Sequence, residues 1–133
     1  MRQAFLDTSY VLALVLRDDE HHETAIQFQQ QYRGELVTTD YVLLEVHDSL
    51  CQESLRPLAL SVTDRLLGDA SVTIIRGSDS LFDRGRNLFR SRPDKDWSLT
   101  DCISFVIMQD HELREALAFD DHFRQAGFNT LTK

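Results

Sequence analysis

Short apolar segments alternate with longer amphipathic segments along this sequence. The apolar segments carry β-branched and aromatic residues typical of strands, and they are Gln3 to Asp7, ELVTT, SVTII, EALAF and FNTL. The segments between them are long enough for the helical crossovers that parallel strands require. This pattern predicts an α/β fold, specifically a three-layer α/β/α domain whose central, mostly parallel sheet is covered on both faces.

Residues at the edges of the amphipathic segments predict where helices begin and end. Side chains that accept hydrogen bonds from free backbone amides favour the N-cap position, and the candidates are Ser9, Thr39 or Asp40, and Ser98 or Thr100. Gly34 and Gly127 are expected to end helices, because glycine adopts the left-handed backbone conformation without strain. The predicted helices are SYVLALVL, His22 to Arg33, YVLLEVHDSLCQES, PLALSVTDRLLGD, Asp79 to Phe89, LTDCISFVIMQDHEL and DDHFRQAG.

The length of 133 residues and the apolar fraction of 42% fit a single domain, residues 1–133, with one core. The sequence contains no apolar run long enough to cross a membrane and no secretory signal pattern, so we expect a cytoplasmic protein without a membrane partner. Cys51 and Cys102 fit no paired metal-ligand spacing and are expected to be buried, reduced thiols. The net charge of -8 argues against a protein that coats nucleic acid nonspecifically, because such proteins need clustered lysine and arginine.

Four acidic residues fall where the predicted sheet would bring them to one edge. Asp7 and Asp120 end strand candidates, and Asp101 lies in the first turn of a predicted helix. Glu45 projects from an otherwise apolar helix, so it must face solvent on a narrow polar stripe or find a cationic partner. Each acid alone has an ordinary explanation as a turn former, a helix-dipole partner or a solvated side chain. Because ligands of open parallel sheets bind at the carboxyl ends of the strands, the set predicts a shared site.

Four neighbouring carboxylates repel each other unless a cation offsets their charge. Hard oxygen ligands without histidine or cysteine select Mg²⁺ or Mn²⁺ over zinc. Such cations typically also bind substrate phosphates, and they activate water for attack at phosphorus. The acid set therefore predicts phosphodiester hydrolysis.

The four acids occur in segments with a distinctive order and spacing. The segments are FLDTSYVLALV, TTDYVLLEV, DWSLTDCISFVIM and EALAFDDHFRQAGF. In this order they resemble the PIN domain family, and in particular its VapC-type toxin ribonucleases of bacterial toxin–antitoxin systems; the resemblance runs from Gln3 to about Leu131. It implies a Mg²⁺- or Mn²⁺-dependent endoribonuclease that cuts RNA, is usually a homodimer, and is inhibited by a small cognate antitoxin.

The resemblance also implies roles for individual residues. Asp7, Glu45 and Asp101 match the core metal ligands, and Asp120 matches a fourth acid that acts indirectly or binds a second metal ion. The matching hydroxyls, which in the family hydrogen-bond the carboxylates or a water in the site, are Thr8, Ser9 and Thr100. Helix capping is the alternative explanation for Ser9 and Thr100.

The sequence departs from the family pattern around the fourth acid. Ala118 stands where the family often has a hydroxyl residue, and Asp121 and His122 follow Asp120. The end of the strand favours Asp120 as the functional acid, and Asp121 is expected to cap the next turn. His122 is expected to be a satisfied surface histidine, although contact with RNA or titration near neutrality is the alternative.

Cationic residues are concentrated before the segment that carries Asp101. Five of the fourteen lysines and arginines fall within twelve positions, and they are Arg84, Arg86, Arg90, Arg92 and Lys95. One interpretation is the solvated face of a helix whose Leu81, Leu88 and Phe89 pack inward. The other is that RNA phosphates bind Arg90, Arg92 and Lys95 while an exposed Trp97 stacks on an unpaired base.

Two other functions fit a domain of this length. A PIN-fold binding module that has lost catalysis is one, and the presence of all four acids argues against it. A receiver-type signalling domain is the other. It would need adjacent acids at the first strand end and a late lysine, whereas Asp7 lies between Leu6 and Thr8, and the late lysine here is Lys133.

Overall fold

The structure, a computed structural model, describes residues 2–132. Within that range five strands alternate with seven helices. The strands are β1 (Gln3–Leu6), β2 (Glu35–Thr39), β3 (Val72–Ile75), β4 (Glu115–Leu117) and β5 (Asn129–Thr130). The helices are α1 (Thr8–Val15), α2 (His22–Gln31), α3 (Asp40–Ser49), α4 (Arg56–Gly68), α5 (Asp79–Ser91), α6 (Leu99–Asp110) and α7 (His122–Gln125). The predicted alternation of strands and helices is confirmed.

The strands form one parallel sheet in the order β3-β2-β1-β4-β5. In its centre, Phe5 of β1 pairs with Val37 of β2 on one side and with Ala116 of β4 on the other. The connections up to β3 step across the sheet in one direction and the later ones step back, so right-handed crossovers place their helices on opposite faces. The predicted three-layer α/β/α architecture is therefore confirmed. Receiver domains follow the order 2-1-3-4-5 instead, so this topology excludes the receiver alternative.

Helix α6 forms the centre of the core. Its residues from Asp101 to Met108 are all buried. Phe105 of this helix packs edge-on against Phe123 of α7 with ring centroids 5.0 Å apart, and Phe123 contacts Phe5 of β1. The aromatic side chains thus connect α6 and α7 to the central strand. This packing fixes the position of the α6 N-terminus relative to the sheet.

Two of the predicted N-caps are confirmed and one is wrong. Thr39 accepts from the backbone amide of Val42, and Ser98 accepts from that of Asp101. Ser9 lies inside α1, whose N-cap is Asp7. β1 ends at Leu6, one residue earlier than predicted, and the Asp7 carboxylate accepts from the Ser9 amide in the capping position.

The predicted glycine stops have different outcomes. Gly127, at φ 98°, follows α7 in the left-handed region and confirms the prediction. Gly34 does not end α2, which stops at Gln31 with Tyr32 in an extended conformation. A Cβ atom at Gly34 would lie 2.6 Å from the carbonyl oxygen of Arg2. Glycine is therefore required there for close approach of two backbone segments.

The two cysteines also differ in their surroundings. Both are free thiols, and Cys102 is buried in α6, as expected. Cys51 is exposed just beyond the end of α3, so the expectation that both would be buried is wrong. Between residues 2 and 132, none of the helices combines the length and apolar composition needed to span a lipid bilayer.

Gly85 lies where α5 packs closely on α6. A Cβ atom added to Gly85 would lie 2.3 Å from Cγ1 of the buried Ile103. We expect Gly85→Ala to lower the free energy of unfolding by about 1–3 kcal/mol, because a well-packed core resists an added methyl group. This loss is expected to outweigh the advantage of alanine over glycine within a helix, which is about 1 kcal/mol. Urea unfolding followed by circular dichroism measures the difference.

Gly68, the last residue of α4, provides the matched control. Among the described residues, and apart from its chain neighbours and the backbone of its own helix, no heavy atom lies within 4 Å of a Cβ atom added there. We expect Gly68→Ala to leave the free energy of unfolding unchanged or to raise it by up to about 1 kcal/mol. A Gly85→Ala protein as stable as the parent would contradict the close contact between α5 and α6.

Candidate active site

The candidate site lies at the carboxyl edge of the sheet, where the strand order reverses between β1 and β4. Asp7 follows β1 directly and is 3% exposed. Its Oδ2 accepts hydrogen bonds from the Ser9 backbone amide at 3.1 Å and the Ser9 hydroxyl at 2.6 Å. The Ser9 hydroxyl in turn accepts from the Phe119 amide at 3.0 Å, just beyond β4. Ser9 therefore fixes the Asp7 carboxylate and connects the ends of the two strands.

Burial makes the negative charge of Asp7 unfavourable in the protein without a cation. It raises the pKa of the Asp7 carboxyl from 3.8 to about 7. The Ser9 hydrogen bonds oppose this rise, whereas the negative charges of Asp120 and Asp101 add to it. The effect of these two charges indicates that Asp120 and Asp101 lie near Asp7 at the same edge of the sheet.

Glu45 reaches the same site from the middle of α3. Its Oε1 accepts a hydrogen bond from the Thr8 hydroxyl at 2.5 Å. Burial raises the pKa of Glu45, hydrogen bonds from Thr8 and Thr100 oppose the rise, and the charges of Asp101 and Asp120 contribute to it. Glu45 is therefore close enough to feel the charges of Asp101 and Asp120, although the ligand atoms grouped within 4.8 Å are those of Asp101, Asp120 and His122.

Glu45 neither faces solvent fully nor pairs with a cationic side chain among the described residues, so the expected cationic partner would be a metal ion. The side chain is half-buried, and its hydrogen-bond partner is the Thr8 hydroxyl. This contact joins α3 to the first turn of α1, and the Thr100 hydroxyl in the first turn of α6 lowers the pKa of Glu45. Of the three hydroxyl residues that match the family pattern, Thr8 and Thr100 lower the pKa of Glu45, and Ser9 donates a hydrogen bond to Asp7.

Asp101 is held at the N-terminus of α6 by a capping box. The Ser98 hydroxyl accepts from the Asp101 amide at 3.0 Å, and Asp101 Oδ2 accepts from the Ser98 amide at 3.1 Å. Nδ1 of His122 lies 2.8 Å from the same Oδ2. Asp101 is 7% exposed, so its carboxylate depends on these partners for hydrogen bonds.

His122 belongs to this site, and the expectation of a surface histidine is wrong. Its side chain is 29% exposed and contacts Asp101, which is 21 residues earlier in the chain. The one signal in the sequence was its position two residues after Asp120. Sequence spacing alone does not reveal a contact that depends on how the short helix α7 packs against α6.

Asp120 lies in the site and Asp121 lies outside it. Oδ1 of Asp120 accepts from the His122 amide at 3.2 Å. Burial and the charge of Asp101 raise the pKa of Asp120, while His122 and Arg124 oppose the rise. Asp121 is exposed and pairs with Arg124, and its side chain does not cap α7, contrary to expectation.

The donor atoms of this site fit a divalent cation. Ligand atoms of Asp101, Asp120 and His122 all lie within 4.8 Å of one another. Asp7 and Glu45 carry the adjacent carboxylates, and burial raises the pKa of each. A cation would offset the repulsion among these acids. The sequence predicted carboxylate oxygen donors alone, whereas the structure adds the His122 imidazole beside them.

Four of the five cationic side chains between Arg84 and Lys95 form ion pairs or hydrogen bonds with neighbouring side chains. Arg84 forms two hydrogen bonds of 2.7 Å with Asp110, so it braces α5 against α6. Arg92 pairs with Asp94 at 3.0 Å, and Lys95 lies 3.9 Å from the same carboxylate. Arg90 donates to Asn87 at 3.2 Å.

Trp97 is buried, so the expected exposed stacking surface is wrong. The indole is 6% exposed, packs edge-on against Phe105 at 5.0 Å, and donates from Nε1 to Gln125 of α7 at 3.0 Å. Its large apolar ring gains more from this burial than from exposure. The indole therefore connects the loop before α6 to α7. Phe89, expected to pack inward, is 53% exposed.

Comparison with solved structures shows the same fold in three bacterial proteins. VapC20 of Mycobacterium tuberculosis, a toxin that cleaves the sarcin–ricin loop, has a TM-score of 0.90 and 23% identity over 98% of this chain and 99% of its own. FitAcB of Neisseria gonorrhoeae has a TM-score of 0.66 and 12% identity over 96% and 95% of the two chains. VapBC2 of Rickettsia felis, solved with a DNA fragment from its promoter, has a TM-score of 0.66 and 11% identity over 97% of each chain.

Comparison with curated protein sequences gave no match. The sequence profile of the PIN domain matches residues 4–129, which span all five strands except the first residue of β1 and the last residue of β5. The match includes every acid of the candidate site. The chain therefore belongs to the PIN domain family.

Proposed function

We propose that this protein is a divalent-metal-dependent endoribonuclease and the toxin of a toxin–antitoxin pair. The observation that carries the proposal is the convergence of Asp7, Glu45, Asp101 and Asp120 at the switch point of the sheet, with burial and mutual repulsion raising the pKa of Asp7, Glu45 and Asp120. Such an arrangement is costly for the folded protein without a cation. Membership of the PIN domain family supports the same function. We further propose that residues 1–133 form one domain acting in the cytoplasm.

The chemistry would be attack of water on an RNA phosphodiester. In this reaction the water loses a proton, a new P–O bond forms, the old P–O bond breaks, and the leaving oxygen gains a proton. Bound Mg²⁺ or Mn²⁺ would acidify the water and offset negative charge at phosphorus. The four carboxylates would hold the cation.

The neighbouring side chains fix the carboxylates before substrate binds. Ser9 orients Asp7, the Thr8 hydroxyl orients Glu45, and the capping box orients Asp101. These contacts reduce the reorganisation that a loosely held site would need during reaction. Trp97 would contribute indirectly, since it fastens the loop before α6 to α7.

RNA would approach along the basic segment that precedes α6. The proposed phosphate contacts are Arg90, Arg92 and Lys95. Trp97 is buried and would not contact RNA. We expect replacement of all three by alanine to raise the RNA concentration needed for half-maximal cleavage. The slope of log affinity against log salt should also fall by up to about 2, because fewer counterions are released from a single strand. Cleavage and RNA binding measured across a salt series test both effects.

Three arginines at the opposite edge of the sheet provide the matched control. Arg2, Arg33 and Arg114 are exposed and precede β1, β2 and β4 respectively. Their replacement by alanine removes the same charge and is expected to leave the salt slope nearly unchanged. An unaltered slope in the Arg90, Arg92 and Lys95 variant would mean that RNA enters by another route.

We propose that the protein is a homodimer that buries exposed leucines of the α3 and α4 surface. Leu44 is 60% exposed, Leu60 is 57% exposed and Leu67 is 48% exposed. Burying such side chains is favourable by about 25 cal/mol for each Å² of apolar surface. Light scattering at micromolar concentration is expected to give twice the chain mass of 15.4 kDa, and Leu44→Glu together with Leu60→Glu is expected to lower it. A monomeric mass for the unaltered protein would contradict the homodimer.

The proposed partner is a small antitoxin encoded beside this protein. Similarity to the fold of VapBC2 and membership of the PIN domain family support this proposal. Co-expression with the neighbouring reading frame tests it. A stable complex that loses ribonuclease activity is the expected result, and active protein that fails to copurify with the neighbour would contradict it.

A further inference from the structure

We propose that His122 supplies a nitrogen ligand to the bound cation and makes this site favour Mn²⁺ or Co²⁺ over Mg²⁺. This inference rests on the proposed function, because it concerns the same metal site. It gives the site a mixed donor set of oxygen and nitrogen. The sequence alone had predicted oxygen ligands only.

The first support is the distance between the donor atoms. Nδ1 of His122 lies 2.8 Å from Oδ2 of Asp101, and ligand atoms of Asp101, Asp120 and His122 all fall within 4.8 Å of one another. Two ligands of one cation, each at about 2.1 Å from it, lie roughly 3 to 4 Å apart. The three side chains are therefore close enough to share one ion with small movements.

The second support is the rigidity of the helix that carries the imidazole. The His122 amide donates to Asp120 Oδ1 at 3.2 Å, so the two proposed ligands are coupled through the backbone. Phe123, the next residue, is completely buried. Gln125 accepts from the Trp97 indole at 3.0 Å. These contacts anchor α7 and keep the imidazole beside Asp101.

The identity of the donor determines which cation is favoured. Carboxylate, carbonyl and water oxygens suit Mg²⁺, whereas imidazole nitrogen suits transition metals such as zinc, copper, iron and nickel. Mn²⁺ and Co²⁺ belong to the first-row series whose members bind sites with nitrogen as well as oxygen ligands. Adding His122 to the carboxylates should therefore strengthen the binding of Mn²⁺ and Co²⁺ more than that of Mg²⁺.

A hydrogen bond alone is the competing explanation of the short contact. His122 would then only orient the Asp101 carboxylate, as groups around a metal site often do. In that case its removal would weaken every divalent cation to a similar extent. No imidazole nitrogen would be coupled to the bound metal. The two explanations therefore differ in cation selectivity and in a spectroscopic signature.

The experiment compares the unaltered protein with His122→Gln, and uses His111→Gln as a matched control. His111 is exposed at the end of α6. Calorimetric titration is expected to show Mn²⁺ affinity falling about tenfold or more in His122→Gln, with Mg²⁺ affinity falling less than about threefold. Electron spin echo spectra of bound Mn²⁺ should show coupling to ¹⁴N that disappears in His122→Gln only. Circular dichroism verifies that each variant is folded.

The possible results separate this inference from the proposed function. Mn²⁺ bound without ¹⁴N coupling, or equal weakening of Mn²⁺ and Mg²⁺ in His122→Gln, would overturn the nitrogen ligand and leave the metal-dependent nuclease standing. Failure of the unaltered protein to bind either cation would overturn both. Loss of selectivity together with loss of ¹⁴N coupling in His122→Gln would establish the ligand.

Discussion

The Asp7→Asn protein is expected to cleave RNA about a hundredfold more slowly, or worse, and to be more stable than the parent at neutral pH when no cation is bound. The loss of activity follows because an amide is a poor substitute for a carboxylate ligand. The gain in stability follows because the buried Asp7 carboxyl has a pKa of about 7, so its charge destabilises the fold above that pH. Asparagine has the same shape, and its amide oxygen can still accept the bonds that Ser9 donates. We expect a gain of about 1–3 kcal/mol.

Cleavage assays and chemical denaturation in chelator measure the two effects in the same samples. Glu45→Gln and Asp101→Asn are expected to lose cleavage in the same way. Asp48→Asn is the matched control, since Asp48 is an exposed acid on the same helix as Glu45. Unchanged cleavage in two of the three site variants would remove the proposed site. A marked loss of stability in Asp7→Asn would contradict the electrostatic account of Asp7.

Divalent cations are expected to raise the melting temperature of the protein, and more strongly at pH 8 than at pH 5. The Asp7 carboxyl has a pKa of 3.8 in the unfolded chain and about 7 in the folded chain. Between these values the folded state binds a proton that the unfolded state does not, so the stability of the metal-free protein falls as pH rises through this range. A cation binds the ionised carboxylates and replaces the proton. Its stabilising effect should therefore grow as pH rises through 7.

Thermal melts with chelator and with saturating Mn²⁺ across this pH range measure the effect. The Asp7→Asn protein isolates the contribution of this residue, because it lacks the titrating group. Its metal-free stability should fall less between pH 5 and pH 8 than that of the parent. The absence of any cation effect at pH 8 would favour the alternative of a PIN-fold binding module without catalysis.

Much of the site follows from features that are local in the sequence. Asp7 and Asp120 could be assigned because each follows a strand, and carboxyl ends of parallel strands converge at one edge. Asp101 could be placed because a capping residue three positions earlier marks the start of α6. The sheet itself follows from the alternation of strand and helix segments. These predictions needed only the order of elements and the rules of parallel sheets.

The remaining features depend on contacts between distant parts of the chain. Glu45 accepts a hydrogen bond from Thr8, which lies 37 positions away. The spacing of residues in the sequence does not predict that α3 contacts the start of α1. Trp97 is buried because Gln125 and Phe105 enclose it, although its own neighbours in sequence are polar. His122 faces Asp101 because of how α7 packs on α6. Such pairings are set by packing of helices, which a single sequence does not specify.

The most direct test of the central claim is RNA cleavage by the purified, unaltered protein, first in chelator and then after addition of Mn²⁺ or Mg²⁺. The acids at the carboxyl edge of β1 and β4 are proposed to act only through a bound cation. We therefore predict no cleavage in chelator, internal cleavage of RNA once the cation is restored, and no restoration in Asp101→Asn. Cleavage that persists in chelator, or that survives in Asp101→Asn, would contradict a metal-dependent nuclease site built from these carboxylates.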